Sequence, residues 1–317
     1  MLIFMIILFF LGSGLLYWGA DTLVKGSSRI AINIGIRPLI VGLTVIAMGT
    51  SAPELMVSLI AAIRHSKDIA LGNIIGSNIA NIGLVVGLAA VIKPVTIQVD
   101  TVRKEMPFLI GTTILFLLLS LDKKVGRIDG VILFLLFLLF IGYTIWMASR
   151  DRKSEKSFYS DLDVEAAHEK KTIQSVFLSV IGLVMLLAGS YAMVRAAVYI
   201  ARVVGISEII IGITMVAIGT SLPELAVSVI SSFRGHADLA VGNAVGSNLF
   251  NMLFVISLVS MIYPIPVDPV LLHFEYPFML GITIIFLPMM RTGFVLNRWE
   301  GGALVAAYGF FIYKLFF

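Results

Sequence analysis

Two glutamates, Glu54 and Glu224, stand in apolar stretches with Pro, Thr and Ser as near neighbours. Residues 42–58 read GLTVIAMGTSAPELMVS and residues 212–228 read GITMVAIGTSLPELAVS, identical at eleven of seventeen positions with an offset of 170. Each acid lies in a run apolar enough to cross a bilayer, where a charged side chain costs from roughly 2.5 to well over 10 kcal/mol. Neither run contains a Lys or Arg to pair with it. Packing gives no reason to place an acid at the same point twice. Holding a cation does.

The neighbours of the two acids supply oxygen. Thr50 lies four residues before Glu54 and shares its helix face, with Ser51 one position round. Pro53 cannot donate a backbone hydrogen bond and clashes with the preceding turn, so the helix is expected to break near Gly49–Pro53 and free carbonyls, notably that of Ala47. The second copy offers Thr220, Ser221, Glu224 and the carbonyl of Ala217. Downstream, GNIIGSNIAN (72–81) and GNAVGSNLFN (242–251) add Ser77, Asn81, Ser247 and Asn251. Small-residue packing competes as a role for the two serines, and interhelical hydrogen bonding for the two asparagines.

The donor set contains no imidazole or sulfur. Two carboxylates among neutral oxygens suit a hard cation such as Ca²⁺, which takes six to eight oxygens in flexible geometry, and Na⁺ has nearly the same radius. Mg²⁺ fits less well because it demands a near-ideal octahedron. His65, His168, His236 and His273 fall in loops or near span ends, away from this set. Asn73, Asn78, Asn243 and Asn248 read as helix-packing groups, Glu105 and Glu275 as helix N-terminal acids, and Asp68 and Asp238 as solvated caps.

The elements that must position these residues are transmembrane helices. Apolar residues make up 59% of the chain and charged residues 13%, with mean hydropathy +1.03, which excludes an ordinary soluble domain. The expected fold class is an all-α polytopic membrane protein with ten transmembrane helices, at about 1–20, 38–63, 69–92, 105–121, 128–148, 172–194, 208–232, 239–263, 274–290 and 299–317. The first span lacks a basic leader and a cleavage site and reads as a retained helix. Amphipathic pieces after spans one and six, ending at Gly35 and Gly205, read as helices near the membrane surface that either slide and tilt or pack statically at the interface.

Lys and Arg are scattered between spans, so the net charge of +4 does not indicate nucleic acid. With the N-terminus outside, 15 of the 23 basic residues fall in inner loops, and positive-inside bias places both termini outside. The chain contains no cysteine, and no cofactor is expected.

The offset of 170 holds far beyond the motif. It matches Gly19 to Gly189, Asn73 to Asn243, Pro94 to Pro264 and Glu105 to Glu275. The expected organisation is a first repeat over 1–148, a cytoplasmic linker over 149–171, and a second repeat over 172–317. Five spans per repeat, an odd number, invert the second relative to the first. Broken helices 2 and 7 then meet at the centre, the construction of many secondary transporters.

The pairs GTSAPE with GNIIGSNIAN and GTSLPE with GNAVGSNLFN resemble the two alpha repeats of the sodium/calcium exchanger family, in the cation/calcium exchanger superfamily. The resemblance covers all ten spans. It implies exchange of Na⁺ for Ca²⁺, typically three for one and electrogenic, by a transporter rather than an enzyme. It further implies that Ala47, Thr50, Ser51, Glu54, Ser77, Asn81 and their counterparts Ala217, Thr220, Ser221, Glu224, Ser247, Asn251 form the cation sites. Helices one and six would slide across this core, and a single chain would suffice. The potassium-dependent branch carries Asp where this chain has Asn251, which argues against K⁺ co-transport. The alternative within the superfamily is a Ca²⁺/H⁺ exchanger, whose motif typically departs from GTS-P-E. No large regulatory loop is expected.

Overall fold

Backbone groups in hydrocarbon must find their hydrogen-bond partners within the chain, so long apolar runs become helices. The computed structural model describes residues 1–63, 67–151, 172–205 and 219–316, whose regular structure is helical apart from four two-residue strands. Among the described residues, six helices are long and apolar enough to cross a membrane: α1 (Leu2–Ile34), α4 (Ala70–Ile92), α6 (Arg127–Asp151), α7 (Thr172–Val203), α9 (Ala237–Ile262) and α10 (Pro269–Arg291). A seventh span is the bent pair α2 (Leu39–Thr50) and α3 (Ala52–Ile63), whose axes differ by 42°. Shorter helices are α5 (Met106–Leu119) and α8 (Leu222–Phe233), and the chain ends in α11 (Arg298–Phe316). The fold is that of an all-α, multi-pass membrane protein.

Burial sorts these helices into a centre and a shell. The apolar windows of α4 and α9 are 78% buried, against 22% for α1 and 28% for α6, α7 and α10, so α4 and α9 form the axis of the molecule. Shell helices turn large apolar side chains outward, among them Phe10 on α1, Leu139 on α6 and Phe177 on α7, as a lipid-facing surface requires.

Helices α1 and α7 differ from the expectation of a span followed by a separate surface helix. Each runs unbroken over 33 or 32 residues and stops at a glycine with positive φ, Gly35 (74°) or Gly205 (89°). The two helices lie against each other through glycines. A Cβ on Gly19 would sit 2.6 Å from the amide nitrogen of Leu186, and one on Gly189 2.7 Å from that of Leu16. Only glycine permits that approach.

Two short antiparallel ribbons tie the loops. Strands β1 (Val95–Thr96) and β4 (Val295–Leu296) pair Val95 with Leu296, while β2 (Lys124–Val125) and β3 (Ile265–Pro266) pair Val125 with Ile265. Helix α10 runs between β3 and β4, so the ribbons cap opposite ends of the bundle. Most of the expected linker (152–171) and the approach to the second motif (206–218), including Ala217, lie outside the described residues.

Candidate cation site

The break between α2 and α3 falls at Ser51, with φ −81° and ψ 7°, and its counterpart Ser221 has φ −86° and ψ 2°. Both sit in the sparsely populated bridge region where active-site residues are often found. Pro53 and Pro223 fall in the first turn of α3 and α8, where a missing N–H is tolerated. The acid directly follows each proline, so Glu54 and Glu224 lie in the first turns of α3 and α8, and both are fully buried.

Proline removes the donor to the carbonyl four residues back. At Pro223 that carbonyl belongs to Gly219, and the Ser190 hydroxyl donates to it at 3.0 Å. The carbonyl of Ala47, expected to be freed by the break, accepts the Ser51 N–H at 3.0 Å and the Thr50 hydroxyl at 3.4 Å.

Hydrogen bonds cross between the repeats in matched pairs. The Asn73 amide donates to the Glu54 carbonyl (3.2 Å) and Ser58 Oγ (3.0 Å), and the Asn243 amide donates to the Glu224 carbonyl and Ser228 Oγ, both at 3.3 Å. Each of these amides then accepts from the other repeat: Thr50 donates to Asn243 Oδ1 at 3.2 Å, and Thr220 to Asn73 Oδ1 at 3.4 Å. Hydroxyl pairs repeat the pattern, with Thr50 to Ser247 and Ser77 to Thr220 both at 3.4 Å. Asn73 and Asn243, read from the sequence as packing residues, therefore splint the broken helices and tie the two halves together. Their signal was the spacing GNxxGS in both copies.

The oxygens left over define what the site can do. Glu224 Oε1 accepts from Ser51 and Ser247, each at 3.3 Å. Both carboxylate oxygens of Glu54, Oε2 of Glu224, and Oδ1 of Asn81 and Asn251 are buried without a hydrogen-bond partner, as is Ser221 Oγ. Five acceptors carrying two carboxylates cannot satisfy one another, and unpaired buried acceptors are costly. A cation that prefers oxygen resolves that deficit.

No group of three His, Cys, Asp or Glu residues gathers among the described residues, so any cation here relies on neutral oxygens beside the two acids. Asn81 and Asn251 each open a π-helical turn, Asn81–Val86 and Asn251–Val255, a feature frequent at functional sites. Asp238 differs from its expected role as a solvated cap. It is half-buried, and its carboxylate accepts the Leu239 N–H and the Gln98 amide at 3.0 and 3.3 Å.

Known proteins match this chain along nearly its whole length. The family model described as sodium/calcium exchanger protein matches residues 4–146 and 174–317. The chain is 40% identical to the putative antiporter CaxA of Alkalimonas amylolytica, across 96% of both chains. It is 30% identical to the sodium/calcium exchanger MaX1 of Methanosarcina acetivorans, across 97% of both. The solved structure of the sodium-calcium exchanger NCX_Mj soaked with Na⁺ superimposes with a TM-score of 0.86 at 31% identity, covering 99% of this chain and 100% of that one. The extent of these matches, together with the paired motifs, establishes that the chain belongs to the sodium/calcium exchanger protein family, a family of ion transporters rather than enzymes.

Proposed function

We propose that this protein is an antiporter that exchanges Na⁺ for Ca²⁺ by alternating access, with both ions sharing one site between two inverted repeats. The observation that carries the reading is the set of five buried, unpartnered oxygens contributed by Glu54, Glu224, Asn81 and Asn251. The ligand set consists of these residues with Thr50, Ser51, Ser77, Thr220, Ser221, Ser247 and the carbonyls of Ala47 and Ala217. Ten membrane-spanning helices form repeats at 1–148 and 172–317 around a cytoplasmic linker at 149–171, with both termini outside. The matched hydrogen bonds at an offset of 170 support that symmetry, and one chain supplies the complete site.

Charge counting sets the electrical behaviour. One Ca²⁺ balances Glu54 and Glu224, as two Na⁺ would, whereas three Na⁺ leave one positive charge to cross the field. That charge is worth about 2.3 kcal/mol per 100 mV. Three-for-one exchange is therefore electrogenic, and the neutral Asn251 makes it independent of K⁺.

Proteoliposomes loaded with Na⁺ test the proposal. They should accumulate ⁴⁵Ca²⁺ only while an outward Na⁺ gradient persists, with inward movement of Ca²⁺ accompanied by net outward movement of positive charge, with or without K⁺. Uptake driven by a pH gradient and indifferent to Na⁺ would assign the protein to proton exchange instead.

A further inference from the structure

Asn78 and Asn248 lie one residue past the site serines, buried to within 1% of complete, and face each other across the repeat boundary. The Asn81 amide donates to Asn248 Oδ1 at 3.0 Å, and the Asn251 amide donates to Asn78 Oδ1 at 3.2 Å. Asn81 and Asn251 thus spend their NH₂ groups on the opposite repeat. Because an amide is planar with its oxygen and nitrogen on opposite branches, fixing the nitrogen also fixes the oxygen. Those oxygens are the two unpartnered Oδ1 atoms of the cation site.

We propose that Asn78 and Asn248 are positioning residues for cation binding, holding the amide oxygens of Asn251 and Asn81 toward the cation. The inference rests on the proposed cation site and adds the device that orients two of its neutral ligands. Were the Asn81 amide to flip, its oxygen would meet Asn248 Oδ1 at about the same 3.0 Å, two acceptors in contact, while its NH₂ would face a cation. Both consequences oppose binding. The partner asparagine therefore selects one of two otherwise similar rotamers.

The two arms are anchored differently. The Asn248 amide donates to the backbone carbonyl of Asn78 at 3.1 Å, so the chain from Asn81 ends on a rigid group. The Asn78 amide donates to Met279 Sδ at 3.8 Å, so the chain from Asn251 ends on a flexible thioether, a weak acceptor. The Asn248 arm is the firmer one, and its loss has the larger effect.

The experiment measures Na⁺-driven ⁴⁵Ca²⁺ uptake by the full-length protein in proteoliposomes, with half-saturating Ca²⁺ and maximal rate determined separately. Asn248→Leu, which removes the acceptor at similar volume, should raise half-saturating Ca²⁺ by up to about tenfold, the upper scale of one neutral hydrogen bond. The maximal rate should hold within about twofold. Asn78→Leu should raise half-saturation by less, about threefold. The decisive readout is a double-mutant cycle with Asn81→Ala. If Asn248 acts through Asn81, Asn248→Leu should add nothing in that background, whereas independent, additive losses would overturn the proposal.

Where Asn248→Leu does not fold, Asn78→Leu takes its place in a cycle with Asn251→Ala, and additive losses there would equally overturn the proposal. Glu54→Gln separates the two levels of inference. Unchanged Ca²⁺ affinity in E54Q removes the cation site itself, and loss of affinity in E54Q alongside additivity in the cycle removes only the positioning role.

Discussion

The centre of the molecule and its rim treat the internal repeat in opposite ways. At the centre, contacts recur after 170 residues: Thr50 with Asn243 answers Thr220 with Asn73, and Asn81 with Asn248 answers Asn251 with Asn78. Among the described residues at the rim, the charged contacts do not recur. Asp21 on α1 accepts Lys25 at 2.7 Å and Arg234 through Nε at 2.7 Å and Nη2 at 2.5 Å. Asp100 binds Arg37 at 2.6 Å and Lys104 at 3.0 Å, and nearby Gln98 reaches Asp238. The positions 170 residues beyond Asp21, Asp100 and Lys104 are Tyr191, Val270 and Phe274. Phe274 stacks on Phe311 at 5.9 Å. Among the described residues, ion pairs fasten the end that carries Asp21 and Asp100, and an aromatic pair lies at the other.

A cargo site that must present the same ligands from both sides needs equivalent halves, and the ends of the pathway do not. On the proposed mechanism, unequal ends give the two facing states unequal energies. A smaller asymmetry reaches the centre. Glu224 holds two hydroxyls from Ser51 and Ser247, while Glu54 holds none and the counterpart hydroxyl of Ser221 has no partner. Identical motifs thus occupy two local states in one conformation.

The largest effect comes from removing either acid. Glu54→Gln and Glu224→Gln should each abolish Ca²⁺ uptake, because a divalent ion would keep one compensating charge. At 4 Å and an effective dielectric near 20, the attraction lost between one carboxylate and a divalent ion is about 8 kcal/mol, or close to a millionfold in affinity. Near-normal ⁴⁵Ca²⁺ flux in either variant would show that the centre does not work as a pair. Hydroxyl substitutions resolve the finer difference between the two acids. Ser51→Ala and Ser247→Ala take donors from Glu224 and should each raise half-saturating Ca²⁺ by about three- to tenfold. Ser221→Ala removes no hydrogen bond seen here and should have the smaller effect. Equal losses in all three variants would mean that the asymmetry has no functional weight.

Much of the centre was legible in the sequence because carboxylates in apolar runs are rare and a repeated motif doubles the signal. The break at Ser51 followed from Pro53, and the buried acids Glu54 and Glu224 stood out against their apolar runs. The roles of Asn73, Asn78, Asn243 and Asn248 were not legible. An asparagine on a helix face reads the same whether it packs, splints or orients, and only the opposite repeat decides which. The rim was hidden for a different reason. Asp21 and Arg234 lie 213 residues apart, and neither has an ionic equivalent in the other repeat at a described position. Symmetry, the strongest guide to the centre, points away from contacts that break it.

The charged rim gives an intermediate effect. Arg234→Gln removes the ties between α8's C-terminal end and α1 while leaving Lys25 on Asp21. Arg234 is 45% exposed at the side chain, so solvent screening limits the loss to about 1 kcal/mol. The expected result is a change of a few-fold in maximal exchange rate with half-saturating Ca²⁺ unchanged. A shift in half-saturation without a change in rate would place the ion pair in binding rather than in the balance between facing states.

The smallest expected effect is the pH dependence of the Asp100 contact. Burial pushes the Asp100 carboxyl upward, but hydrogen bonds and charge attraction from Lys104 and Arg37 outweigh it, and the net result lies below the ordinary value. A carboxyl with a lower pKa in the folded than in the unfolded chain stabilises the fold above its unfolded value, about 3.9. That contribution is lost as pH falls through the lower, folded value. Asp100→Asn lacks the charge at every pH, so the difference in melting temperature between parent and variant isolates this one group from other titrating acids. Both proteins should be compared in the same detergent from neutral pH downward. At pH 7 the parent should melt about 1–2 °C higher, the scale of a partly exposed ion pair. The gap should persist to about pH 4 and close below it as Asp100 takes up its proton. A gap that stays constant to the acid limit would show that Asp100 contributes by packing, and the rim would then differ from its aromatic counterpart in shape rather than in charge.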